Sequence, residues 1–91
     1  SPEAVLLCPS CGSIYIHHDN IEIFQRMEDE IEGTHVKVVG LTASIDKSLA
    51  GNPSARRSGL TIKLDCEECR KTSVLSIAQH KGRTFMQIKT E

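Results

Sequence analysis

Large aromatic side chains are nearly missing from this chain: its 91 residues include two Phe, one Tyr and no Trp. Aromatic groups bury the most area per residue, so a core built on them is excluded. The length allows one domain, residues 1–91, and no second core. A domain of that size buries only about 60% of the surface its unfolded chain exposes, and weak packing narrows the margin further. Long apolar runs are absent as well. Nothing approaches the roughly 18 consecutive apolar residues of a membrane-spanning helix. Residues 4–7 are apolar, but Cys8 follows too early for a secretory signal core. The expectation is a cytoplasmic protein with no membrane association.

A strong charge of either sign is lacking too. Eleven basic and twelve acidic residues leave a net charge of −1. Their distribution is uneven: residues 1–54 carry eight acidic groups against three basic ones, and residues 55–91 carry eight basic against four acidic. The overall field does not attract nucleic acid, although a local basic face in the second part can.

What the chain does have is four cysteines. In a reducing compartment structural disulfides are rare, and a poorly packed small domain needs another staple. The cysteines form two pairs, Cys8-Pro9-Ser10-Cys11-Gly12 and Cys66-Glu67-Glu68-Cys69-Arg70-Lys71, with 54 residues between them. A spacing of three in a tight turn points both sulfurs at one ion and aims backbone N–H groups at the thiolates. Gly12 relieves the backbone just past the first turn. Two pairs supply four sulfurs in a tetrahedron, the closed donor set of a structural metal. The expectation is one Zn²⁺ per chain on Cys8, Cys11, Cys66 and Cys69; a mononuclear iron uses similar knuckles. The plainer alternatives are buried core cysteines or a redox Cys-x-x-Cys, whose βαβ setting is missing. Arg70 and Lys71 follow the second pair, where positive charge stabilises a centre of net charge −2.

The two knuckles, each beside hairpin-forming sequence, resemble the zinc-ribbon class with its rubredoxin-like knuckles. The resemblance covers residues 5–16 and 60–88, about half of the chain. It implies a structural zinc at the junction of β-hairpins, with exposed faces free to contact protein or nucleic acid. The 54-residue insert is longer than in compact ribbons. The chain is also similar to small zinc-binding proteins of bacterial and phage genomes.

Apolar and polar residues alternate in short runs, the period of half-buried strands. Leu60-Thr61-Ile62-Lys63-Leu64-Asp65 is the clearest, with Leu60, Ile62 and Leu64 on one face. Further strands are expected over 13–18 (Ile14 and Ile16 inward), 21–27 (Ile21 and Ile23 inward), 35–42, 73–79 and 84–89. Asp19-Asn20 reads as a turn, and His80-Lys81-Gly82 as a hairpin turn with Gly at the position of positive φ. Phe24, Met27 and Ile31 have helical spacing, but two turns of helix are marginal alone, so 28–33 is expected as an acidic turn. Ser44 can cap a short helical turn over 44–50. The stretch 43–59 lacks a pattern and reads as a mobile loop. The fold class expected is all-β: a small antiparallel domain of six or seven strands, of zinc-ribbon type, with a long insert between its knuckles.

Other residues carry weaker signals. His17-His18 admits an HNH-like nuclease reading, since such enzymes can carry paired knuckles around a ββα core. The helix of that core is not visible, and the plainer reading puts the two histidines at a strand end, one facing each side. His35 and His80 read as exposed strand-end residues. The zinc-deaminase signature fails because no His-x-Glu occurs and Pro9 follows Cys8 instead of preceding it. Arg56, Arg57, Arg70, Lys71, Lys81 and Arg83 are the candidates for a phosphate or partner contact. With so few aromatics, stacking on bases is disfavoured. The function expected is therefore a zinc-binding adaptor module for a protein partner, not an enzyme. The alternatives are a nucleic-acid-binding ribbon and a small metal-dependent nuclease. Uncovered strand edges make a homodimer a further expectation.

Overall fold

Alternation every second residue becomes strand throughout, and no helix forms among the described residues. A computed structural model describes residues 3–91. Its strands are β1 (Ile16–Gln25), β2 (Thr34–Val39), β3 (Thr42–Asp46), β4 (Gly59–Cys66), β5 (Thr72–His80) and β6 (Arg83–Thr90). They form one antiparallel sheet in the order β3-β2-β1-β4-β5-β6. The fold is all-β, as the alternation implies. Among the described residues no helix is long and apolar enough to cross a membrane.

Several boundaries differ from expectation, each for a physical reason. The runs 13–18 and 21–27 merge into β1, which starts at Ile16 and ends at Gln25. Asp19-Asn20 is not a turn: the register shifts between His18 and Asn20, leaving Asp19 as the extra residue of a β-bulge. A bulge adds one residue to one strand, so it breaks the period-2 pattern as a turn would. The run 35–42 splits at Gly40 (φ 59), where a two-residue turn pairs Val39 with Thr42. The helical turn over 44–50 does not form; residues 42–46 are β3 instead. Residues 43–46 and 59 of the expected loop are thus strand. The hairpin at Lys81 (φ 50) and Gly82 (φ 75) forms as expected.

Cross-strand pairing sorts the side chains onto two unlike faces, because residues directly opposite point the same way. One row runs Ile45, Val36, Ile23, Leu60, Ile77, Met86 from β3 to β6. The next runs Ala43, Val38, Ile21, Ile62, Leu75, Ile88. Apart from the bulged Asp19, every charged strand residue lies on the opposite face. Not one of the twelve apolar residues is buried. Ile21 and Ile23, expected inward, are half-exposed and exposed respectively. Among the described residues no strand packs across the sheet on another, so the strands form a single layer.

The buried aromatic sits on the charged face instead. Phe24 is fully buried, beneath the segment 47–58, with Gly51 lying over the ring. That segment is irregular but fastened. The Ser54 hydroxyl donates to the Gln79 carbonyl at 2.7 Å, and the Gln79 N–H donates to the Ser58 carbonyl. The Arg26 guanidinium donates to the carbonyls of Arg57, Glu30 and Ser54. Gly59 makes the close approach possible: a Cβ there would meet Asn52 Oδ1 at 2.5 Å and Pro53 Cγ at 2.8 Å.

His35 corrects another expectation, for it is buried and not an exposed strand end. Its ring stacks on Phe24 with centroids 4.6 Å apart. Nδ1 lies 2.9 Å from Asp46 Oδ1 and Nε2 lies 2.9 Å from Glu22 Oε1. Carboxylates only accept, so both nitrogens must donate and the ring is an imidazolium. Burial opposes that charge, but the bonds to Asp46 and Glu22 outweigh it and raise the pKa above 6.5. Asp46 is held below 3.8, first by the Ser48 N–H and then by His35. A raised folded pKa gives stability that is complete below the unfolded value and disappears as pH rises through the folded one. The lowered Asp46 gives stability lost as pH falls through its folded value. The strand triplet β1–β2–β3 is therefore best pinned between about pH 4 and pH 6.5. Comparing melting temperatures of wild type and His35→Asn over a pH series checks this. The gap between them should narrow as pH rises above about 6.5; a gap that stays constant or widens contradicts the imidazolium.

Candidate metal centre

Both knuckles lie at one end of the sheet, where β1 begins and β4 turns into β5. Pairing of Ile16 with Cys66 brings the segment before β1 alongside the end of β4. The 54-residue insert is not a detour, since it carries β1, β2, β3 and all of β4 but Cys66. The sheet itself returns the chain to its starting point.

The two knuckles share one backbone design. In the first, Cys8 N–H donates to the Ser13 carbonyl and Gly12 N–H donates to the Cys8 carbonyl. In the second, Cys66 N–H donates to the Lys71 carbonyl and Arg70 N–H donates to the Cys66 carbonyl. Gly12 has φ 79, and Arg70 has φ 63 at the equivalent position. An L-residue there costs about 1 kcal/mol or more. Two N–H groups reach the leading sulfur of each knuckle: those of Cys11 and Ser10 at Cys8, and those of Cys69 and Glu68 at Cys66.

The sulfurs converge across the knuckles. Cys8 Sγ lies 3.7 Å from Cys69 Sγ, and Cys11 Sγ lies 3.6 Å from Cys66 Sγ. All four lie within 4.8 Å of one another. These are free thiols, far beyond the roughly 2.05 Å of a disulfide. A tetrahedral ion with metal–sulfur bonds of about 2.3 Å needs sulfurs roughly 3.8 Å apart. The donor set fits such an ion. Cys8 and Cys66 are buried, Cys69 is half-buried and Cys11 is exposed, so one flank of the centre meets solvent.

The electrostatics favour metal as well. The Cys69 N–H, followed by that of Glu68, holds the Cys66 thiol down to about 6 against the opposing effect of burial. The Cys11 N–H lowers Cys8 in the same way. At Cys11 the Ser13 N–H favours the thiolate, but burial and the three neighbouring sulfurs push it up to about 12. Four thiolates this close repel, and a bound cation removes that repulsion.

The remaining candidates are scattered. Arg70 joins His17, Asp65, Cys66 and Glu67 around a shallow cleft beside the centre. His17 Nε2 lies 2.7 Å from Glu67 Oε2, whereas His18 pairs with Leu64 and so faces the other side. Lys71 lies in the β4–β5 turn, while Lys81 and Arg83 lie at the β5–β6 turn. The nine residues of β5 separate them, about 27 Å or more. Arg56 makes a two-pronged pair with Asp29 at 2.7 and 2.6 Å. Arg57 reaches Glu28 at 2.8 Å. Arg56 and Arg57 were candidates for a phosphate or partner contact, but Glu28 and Asp29 of the acidic turn pair with them. Sequence reasoning missed the Glu22–His35–Asp46 cluster altogether. The two-residue turn at Gly40 would have revealed it, because pairing Val39 with Thr42 sets His35 opposite Asp46. No family model, curated protein or solved structure matches the chain.

Proposed function

We propose that Cys8, Cys11, Cys66 and Cys69 hold one structural Zn²⁺ of zinc-ribbon type, and that the chain is a binding module for a protein partner, not an enzyme. A donor set of four thiolates leaves no coordination position for substrate, which is the mark of a structural site. A reducing, cytoplasmic setting keeps such thiols available for metal. The observation that carries the partner reading is the uncharged apolar sheet face. A continuous exposed apolar surface marks an interaction site, and its lack of cations suits protein and not phosphate. The six basic candidates support the same choice, since two are neutralised by Asp29 and Glu28 and the others divide between opposite ends of β5.

Metal analysis of the purified protein should return one zinc per chain. Gel shifts with duplex and single-stranded DNA and RNA should show no complex near physiological salt. A complex whose affinity falls steeply with salt and is lost on Arg83→Ala would replace this reading with the nucleic-acid one.

A further inference from the structure

We infer that the partner on the apolar sheet face is a second copy of this chain, packed face to face into a two-layer β-sandwich. The inference rests on the binding-module reading above and names its partner. Stable domains place at least two layers around a core, yet this chain supplies one. Its surface is 6488 Å², where a compact 10.0 kDa protein exposes about 5,200 Å². The excess is about 1,200 Å². Its radius of gyration is 14.2 Å, against about 12 Å for a compact chain of this length. Part of that missing burial falls on the two apolar rows, where Ile23, Ile45 and Met86 are exposed.

The face is large enough for the task. Six strands about 4.8 Å apart, with about seven residues of each contributing, span roughly 29 by 23 Å, or about 670 Å² before side-chain relief. A stable interface removes about 800 Å² from each partner. The area required therefore lies between the flat footprint and the excess surface. Composition argues for identical partners. Two-fold pairing sets the same patch against itself, so any charge on it would face its own kind. This face carries apolar residues flanked by neutral ones such as Gln25, Thr34, Gln79 and Thr84, and a copy satisfies it without an unpaired ion. Two sheets of equal twist also pack naturally, with strands about 30° apart. The β1–β4 seam, with Ile21 opposite Ile62, is the centre of the face. Ile45 and Met86, 74% and 71% exposed, are its outer margins.

Sedimentation equilibrium on the zinc-loaded chain should give twice the 10.0 kDa monomer mass at micromolar concentration. Ile45→Lys and Met86→Lys change residues already exposed in one chain, so circular dichroism should be unchanged while self-association weakens at least about 100-fold. Gln87→Lys, next to Met86 but on the opposite face of β6, should leave the dimer intact. Equal sensitivity at positions 86 and 87 means pairing through the β6 edge and overturns the proposal, as does a dimer indifferent to Ile45→Lys. A wild-type monomer at about 100 μM overturns it too, on the scale of obligate association. If that monomer binds a different protein and Ile45→Lys abolishes the binding, the self-association fails while the module reading stands. If no protein binding responds to Ile45→Lys, both fail.

Discussion

Stripped of its metal by a strong chelator, the domain should lose its cooperative unfolding transition altogether. Few side chains are buried: among the described residues Phe24, Leu64, Cys8 and Cys66 make up the buried apolar set. Two of those four are proposed metal ligands. A domain of this length has a net stability of about 5–14 kcal/mol. Structural zinc contributes about 10–16 kcal/mol of binding energy that appears as folding energy. The metal term is comparable to the whole margin, so its removal should leave an unfolded chain. Far-ultraviolet circular dichroism and thermal melts, before and after chelation and again after zinc is restored, measure this. Cys66→Ser should reproduce the loss, since the knuckle N–H groups then have no thiolate to meet. Cys11→Ser should be the mildest of the four, because Cys11 is the exposed member of the set. An unaltered melt in chelator would mean that the four sulfurs converge for another reason.

Truncating the buried ring is the second large effect. Phe24→Ala should destabilise the zinc-loaded protein by about 3–5 kcal/mol, the range for emptying a buried aromatic site. Two features place it in the upper part. The ring is completely enclosed, and it is the stacking partner of the His35 imidazolium. Its loss leaves Glu22, His35 and Asp46 bonded to one another around a void, with segment 47–58 above it. Phe24→Leu fills part of that space and should cost clearly less. Urea denaturation at constant zinc gives the numbers. A cost under about 1 kcal/mol would show that segment 47–58 closes over the gap and that the lid has little to do with stability.

The alternation from Leu60 to Asp65 made β4 legible, and the Gly82 turn made β5 and β6 legible with it. Both have a local cause: period-2 patterning and a residue that tolerates positive φ. The knuckles were legible for the same reason, because two ligands three apart and a following Gly define the turn without help from the rest of the chain. Legibility failed where a single residue changed the phase. Asp19 shifts the pattern by one without turning the chain, and from the pattern alone a bulge and a turn look the same. It failed again at Phe24, whose parity opposes that of Ile21 and Ile23. Strand patterning predicts that the isoleucines face the core. In the folded chain, segment 47–58 covers the charged side and the isoleucine side stays open, an outcome set by loop packing that no window of sequence contains. The ion pairs of Arg56 and Arg57 with residues 28 and 29 are likewise products of tertiary placement.

The two knuckles match bond for bond in their main chains while sharing little beyond the cysteines. Pro9 and Ser10 stand in one where Glu67 and Glu68 stand in the other. Main-chain amides, which every residue but proline carries, present the sulfurs in both. The side chains between the ligands make none of these bonds, so that end of the molecule can be recoloured, acidic or neutral, while the main-chain cradle of the sulfurs stays as it is.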